Sequence, residues 1–149
     1  QWAFVFAFIA PILLFLGGRW NPQIALMCMA VTIASCMLPD FLEPALTYLH
    51  RGIFHSVYFL FFLITLAVMF FIEGDVAPYF LNIPFLNELP NLYYPYFNYL
   101  NYFLIAFCMG PISHLLGDAS TPMGLPGNPV YGLIFIFLIF LAFAFFFLI

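Results

Sequence analysis

Five apolar stretches constrain the fold of this chain more than any other feature of its sequence. None of them contains Asp, Glu, Lys or Arg, and they run approximately over residues 2–16, 22–38, 56–72, 96–113 and 131–149. Each approaches the ~20 residues that a helix needs to cross the roughly 30 Å hydrocarbon core of a bilayer. We therefore predict an all-α integral membrane protein, with a single transmembrane domain over residues 1–149 and about five transmembrane helices.

The composition supports this prediction and excludes one class of partner. Hydrophobic residues make up 67% of the 149 positions and charged residues 5%, whereas a soluble domain has roughly 25% charged residues. Lys and Arg together number 2, too few for the phosphate contacts that dominate nucleic-acid binding. These two residues, Arg19 and Arg51, fall on opposite sides of the predicted membrane. The enrichment of basic residues in cytoplasmic loops therefore does not decide the orientation of the chain.

The first cluster of polar residues follows the second apolar stretch. Pro residues end that stretch, and the cluster then carries Asp40, Glu43, His50, Arg51 and His55. Ionisable side chains close to hydrocarbon need a partner, water or a metal ion, which makes them candidates for a functional site. Neutral imidazole is the commonest protein ligand for divalent metals, and carboxylates complete such sites.

The second cluster lies at the end of the fourth apolar stretch, where His114 and Asp118 are four residues apart. If the helix continues through them, both side chains project from one face and form a bidentate metal platform. Five spans place the loops 39–55 and 117–130 at the same membrane surface. We therefore predict a one-sided metal or catalytic centre that includes all 3 histidines; the alternative is that each is a hydrogen-bonded interfacial residue.

These motifs resemble a known family. An LPD segment followed by an acid and Pro, then HRGxxHS, then HxxxDxxTPxG, is similar to the membrane-bound metal-dependent hydrolases of bacteria and archaea, the inner-membrane type described as LexA-binding. The similarity covers about residues 38–126 and implies a location in the inner or plasma membrane of a prokaryotic cell. Residues 114–118 also resemble the HxxGD segment of zinc-dependent phospholipases C and single-strand nucleases.

The chain departs from these patterns at three positions. Leu42 replaces a second acid of the membrane family, and Glu43 follows one place later. Phe54 replaces the residue that is usually Thr in the HRG segment, and Gly124 replaces a further His of the phospholipases. These departures remove one candidate ligand and one hydroxyl group, and a full trinuclear zinc site is not expected.

The resemblance and the residue types together predict a hydrolase that acts on a phosphoester or lipid-like substrate. The predicted metal ligands are Asp40, His55, His114 and Asp118. They are expected to hold one or two divalent ions, with zinc as the expected metal. Such an ion lowers the pKa of a bound water from about 15.7 to about 7. The predicted catalytic residues are Glu43 or His50 as general base and Arg51, which either clamps the phosphate or orients a carboxylate. A simple ion pair between Arg51 and an acid stays open.

A noncatalytic role is the alternative. The chain has no Lys, 23% aromatic residues and loops with little charge, so neighbouring proteins could cover it within a larger membrane complex. The polar motif would then be a structural metal site or a remnant of one. We expect membrane lipids as partners, with other membrane subunits if this alternative holds. A transporter is disfavoured because the sequence shows no internal repeat and its polar residues gather at one surface.

Overall fold

The computed structural model describes residues 2–43, 52–73, 98–120, 125–127 and 129–148, and in these ranges the regular structure is entirely helical. The helices are α1 (Trp2–Phe6), α2 (Ile9–Leu16), α3 (Pro22–Ser35), α4 (Leu38–Leu42), α5 (Val57–Glu73), α6 (Leu100–Ala119) and α7 (Pro129–Leu148). The predicted all-α fold class is therefore confirmed.

The lengths of these helices do not support the five membrane spans predicted from the sequence. Within the described residues, α6 alone is long and apolar enough to cross a membrane by length and composition, a test that core helices of soluble proteins also pass. The shorter apolar helical segments are Trp2–Leu16, Pro22–Ser35, Val57–Ile72 and Val130–Ala144. Five transmembrane helices, and the division into a single transmembrane domain, therefore stay predictions.

Local sequence signals explain how α3 begins. Gly18 has a φ of 67°, a left-handed conformation that glycine adopts without a steric penalty and that lets the chain turn after α2. Asn21 then precedes the helix, and its Oδ1 atom accepts hydrogen bonds from the backbone N–H groups of Gln23 and Ile24 at 3.0 and 3.3 Å. Pro22 occupies the first helical position, where its missing N–H costs nothing.

Helix α6 lies at the centre of the described structure and contributes to both apolar cores. One core joins α6 to α5 and α7, and its buried side chains are Phe59, Leu60, Leu63, Ala67, Phe70, Ile105, Cys108, Ile112, Leu115 and Phe135. The other joins α6 to α2 and α3 through Ala10, Leu14, Ile24, Ala25, Cys28, Tyr102 and Ala106. Apolar residues on several faces of α6 therefore allow α2, α3 and α5 to pack around it, while α7 packs against α5.

Helices α3 and α6 approach each other closely at a glycine. The Thr32 side chain is completely buried, and its hydroxyl proton is shared between backbone carbonyls of both helices, with Oγ1 3.0 Å from Ala106 O and 3.1 Å from Cys28 O. One turn further along α6, a Cβ atom on Gly110 would collide with Ser35 Oγ and Thr32 O. Only a residue without a side chain fits at this crossing, which sets the spacing of the two helices.

We expect Gly110→Ala to lower the free energy of unfolding by about 1–3 kcal/mol, the usual cost of forcing extra atoms into a packed core. The colliding Thr32 atom belongs to the backbone, so a side-chain rotation cannot relieve the contact. Thermal unfolding of the purified protein, followed by circular dichroism, measures the change.

Gly117→Ala is the matched control because it lies in the same helix, and its added Cβ would meet the nearest atom, Trp2 Cδ1, at an ordinary 3.7 Å. Alanine favours the helix by about 1 kcal/mol over glycine, so the control should unfold at the wild-type temperature or above it. Equal unfolding temperatures for Gly110→Ala and the wild type would contradict the proposed close packing.

Candidate metal centre

The first acidic residues of the site are held by the short helix α4. The second predicted span ends as a helix at Ser35, earlier than expected, and Pro39 lies within the first turn of α4 instead of ending a helix. Proline is tolerated there because the N–H groups of a first turn have no partner inside the helix. Asp40 therefore projects from α4, and Glu43 follows its last residue.

His55 is fixed by the start of α5. The Ser56 Oγ atom accepts a hydrogen bond of 3.2 Å from the N–H of Phe59 and so caps this helix. His55 comes immediately before the cap, and its side chain is 1% exposed. The capping role of Ser56 was missed by the motif analysis, although a serine directly before an apolar run is a recognised signal for a helix start.

His114 and Asp118 lie in the last turns of α6, which continues to Ala119. The continuation places them one turn apart on the same face, with His114 Nε2 and Asp118 Oδ2 separated by 3.6 Å. Their side chains are 19% and 21% exposed. Both can therefore reach a shared ligand while remaining accessible from solvent.

Two acids and two histidines from three parts of the chain converge on one point. Asp40 Oδ1 lies 3.2 Å from His55 Nε2 and 3.5 Å from His114 Nε2. Asp118 Oδ2 lies 3.8 Å from His55 Nε2, which completes a ring of alternating oxygen and nitrogen atoms. Asp40, His55 and His114 each offer a ligand atom, all within 4.8 Å of one another, so this group can hold a metal ion.

Glu43 lies on the opposite edge of the His55 ring. Its Oε2 atom is 3.0 Å from His55 Nδ1, and its Oε1 atom accepts a 3.0 Å hydrogen bond from the N–H of Phe54. With the proton on Nδ1, this nitrogen donates to the carboxylate, which can only accept when it is ionised. In a neutral imidazole this leaves the Nε2 lone pair directed at the centre formed by Asp40 and His114.

Asp118 adds negative charge to the C-terminal end of α6. Helix C-termini carry a partial negative charge, which favours basic residues, yet the last turn of α6 has none and contains Asp118. Asp40 adds a second carboxylate to the same centre. A divalent cation bound between them would be attracted by both groups and by the helix end.

The remaining predicted residues have different outcomes. His50 and Arg51 lie outside the described residues, as does the departure at Gly124. Phe54, the second departure, contributes its backbone N–H to Glu43 and packs its ring against Phe59 with centroids 5.3 Å apart. The structure thus brings together the four predicted ligands, whereas Glu43 lies behind His55.

Comparison of the chain with protein-family models, with curated proteins and with solved structures finds no match. The resemblance to membrane-bound hydrolases therefore stays an expectation that rests on the motifs.

We expect the protein to bind a divalent ion and to lose it in His114→Ala and Asp40→Asn, because each variant removes one of three ligand groups. Glu43→Gln should retain the ion with roughly 10- to 100-fold lower affinity, as is typical when a residue that orients a ligand is changed. Elemental mass spectrometry and titration of the purified proteins with zinc measure both effects.

Glu73→Gln is the matched control, since Glu73 ends α5 at the opposite end from His55. It also removes one carboxylate charge, so a general loss of electrostatic attraction would affect it equally. Metal content at the wild-type level in both His114→Ala and Asp40→Asn would contradict the candidate metal centre.

Proposed function

We propose that this chain is a membrane-embedded metal-dependent hydrolase that acts on a phosphoester or lipid-like substrate. The observation that carries the proposal is the convergence of Asp40, His55 and His114 on a point that Asp118 also reaches. Hydrolytic metal centres combine a few protein ligands with room for substrate and water. The partial exposure of Asp40, His114 and Asp118 supplies that room.

The donor set is compatible with zinc, the ion predicted from the sequence. Zinc bonds of about 2.0–2.1 Å in a tetrahedral site place neighbouring donor atoms about 3.4 Å apart. The distances from Asp40 Oδ1 to His55 Nε2 and His114 Nε2 are 3.2 and 3.5 Å, close to that value. Two imidazoles and a carboxylate are also a ligand set that zinc accepts in catalytic sites.

We assign separate roles to the two aspartates. Asp40 belongs to the group of three possible ligands, whereas Asp118, predicted as a further ligand, lies outside that group. A divalent ion would supply polarisation of a phosphoryl oxygen and a lowered pKa for the attacking water. Asp118 Oδ2, within 4 Å of both imidazole Nε2 atoms, would accept the proton that this water loses.

Glu43 has an orienting role in this proposal. Its contacts with His55 Nδ1 and Phe54 N hold it on the far edge of the imidazole ring. That position favours fixing the tautomer and direction of His55 over acting as the general base predicted from the sequence. The phosphate clamp by Arg51 and a base role for His50 stay predictions.

The surface of the described helices supports a membrane location. Large apolar side chains are exposed around the structure, including Phe4 at 66%, Leu16 at 73%, Phe61 at 61% and Phe140 at 65%. Soluble monomers rarely expose contiguous apolar patches larger than a few hundred Å². Lipid contact would remove this surface from water, and we propose that the five apolar helical segments cross a prokaryotic inner or plasma membrane.

We expect Asp118→Asn to slow hydrolysis of bis(p-nitrophenyl) phosphate by roughly 10²-fold or more, the usual effect of removing a general base, while metal content stays at the wild-type level. Absorbance of released nitrophenolate measures turnover, and elemental mass spectrometry measures metal in the same samples. Glu73→Gln again serves as the control with unchanged turnover.

Loss of metal from Asp118→Asn would show that Asp118 is a ligand, and would refute its assignment as the base. A wild-type protein that holds stoichiometric metal but hydrolyses neither this substrate nor phospholipids would refute the hydrolase. That second result would favour the noncatalytic membrane subunit.

The membrane placement predicts that the native chain stays in the membrane pellet after an alkaline carbonate wash, because its exposed apolar surface is then covered by lipid. Immunoblotting of pellet and supernatant measures the distribution. Release of the chain into the supernatant, alongside a peripheral control protein, would contradict a transmembrane location.

A further inference from the structure

A second pocket lies at the other end of α6 from the metal centre. It is a cavity of about 370 Å³ where α2 ends and α6 begins, lined by Leu13, Leu16, Gly17, Arg19, Phe71, Asn101 and Tyr102. His114 lies thirteen positions after Asn101 in the helix, which corresponds to about 20 Å along the axis. The pocket is therefore a different site from the candidate metal centre.

Two buried polar side chains face this pocket. Asn101 is 5% exposed and Tyr102 is 8% exposed, and within the described residues neither side chain has a hydrogen-bond partner. No side-chain nitrogen or oxygen that is fully removed from solvent lacks a partner in the described structure, so these polar atoms must reach the cavity. A polar ligand in the cavity can therefore form hydrogen bonds with these groups in place of water.

Gly17 leaves the space that the Tyr102 hydroxyl occupies. A Cβ atom at Gly17 would come within 2.8 Å of Tyr102 Oη, although the backbone there, with a φ of −78°, is open to any residue. The requirement for a small residue is therefore set by the hydroxyl of the pocket.

Arg19 places a positive charge at the rim of the pocket. One guanidinium nitrogen, Nη1, donates to the carbonyl of Asn98 at 3.2 Å, and a guanidinium has five N–H donors in total. Among the described residues, Arg19 has no carboxylate partner. Its planar fork matches the oxygens of a phosphate group, and such charge-assisted hydrogen bonds are stronger than neutral ones.

The start of α6 adds further donors to the same place. Tyr99 precedes the helix and provides no side-chain cap, while the N–H groups of Tyr102 and Phe103 are satisfied by its carbonyl. The N–H groups before them belong to the unpaired first turn of the helix, where the dipole is positive. An anion at this point would meet the guanidinium, the Asn101 amide and the helix end together.

The apolar walls of the pocket distinguish a lipid from a free anion. Leu13, Leu16 and Phe71 line it, and Leu16 and Phe71 continue onto the outer surface with 73% and 58% of their area exposed. We infer that this pocket binds the phosphate group of a membrane phospholipid, with the acyl chains along Leu16 and Phe71. The inference rests on the membrane placement proposed above and is independent of the hydrolase activity.

Native mass spectrometry of the detergent-purified full chain tests the inference. Dioleoylphosphatidylglycerol is added in one arm, dioleoylglycerol, which has the same acyl chains without phosphate, in a second, and inorganic phosphate in a third. We expect one phosphatidylglycerol to be retained per chain, at least about tenfold more strongly than dioleoylglycerol, from the usual strength of hydrogen bonds to charged groups.

Arg19→Gln should reduce phosphatidylglycerol retention about tenfold by removing the charge. Tyr102→Phe removes one hydroxyl without changing the shape of the ring and should cause a smaller loss, which guards against the case in which the first variant fails to fold. Gly117→Ala, which lies near the opposite end of α6 and belongs to neither candidate site, should retain the lipid at the wild-type level.

Equal retention of both lipids, or equal phosphatidylglycerol retention by the wild type and both pocket variants, would overturn the inference. Binding of inorganic phosphate as tight as that of the phospholipid would also overturn it, because the ligand would then be a free anion. If the wild-type chain retains the phospholipid selectively but shows no hydrolytic turnover, the proposed hydrolase activity is refuted and the phospholipid pocket is not. If the chain resists carbonate extraction but does not prefer phosphatidylglycerol to dioleoylglycerol, the phospholipid pocket is refuted and the membrane location is not.

Discussion

The close packing of α3 against α6 is the constraint on which the candidate metal centre depends. Gly110 contributes no side-chain atom to the crossing, and the Thr32 hydroxyl bonds to a carbonyl of the facing helix. Because α4 follows α3 directly, the spacing at this crossing also determines where Asp40 lies relative to His114. If an added methyl group widened the crossing, the position of Asp40 relative to His114 would shift, since packed interiors transmit strain.

The two ends of α6 have opposite electrostatic character. Its first turn presents unpaired N–H groups next to Arg19, whereas its last turns carry Asp118 close to the carboxylate of Asp40. The first end suits an anion and the second suits a cation. One helix thus provides the frame for two candidate sites of opposite charge preference, about 20 Å apart.

Much of the metal centre was predictable, because the ligand types and the four-residue spacing of His114 and Asp118 are visible in the sequence. The role of Glu43 was not, since only the folded chain shows that its carboxylate meets the Nδ1 edge of His55. The Arg19 pocket was missed for a similar reason. In the sequence, Asn101 is an ordinary polar residue in an apolar stretch. Only the folded structure shows that it is buried and lines the same pocket as Arg19.

The sequence by itself determined the all-helical class and the residue types available for metal binding, because apolar periodicity, capping residues and imidazoles act locally. The tertiary structure alone decided which of these residues meet. Asp40, His55 and His114 come from separate segments, and their convergence within 4.8 Å depends on how α3, α5 and α6 pack. Local patterns fix helices, whereas a site built from distant segments requires the helix crossings that place its ligands together.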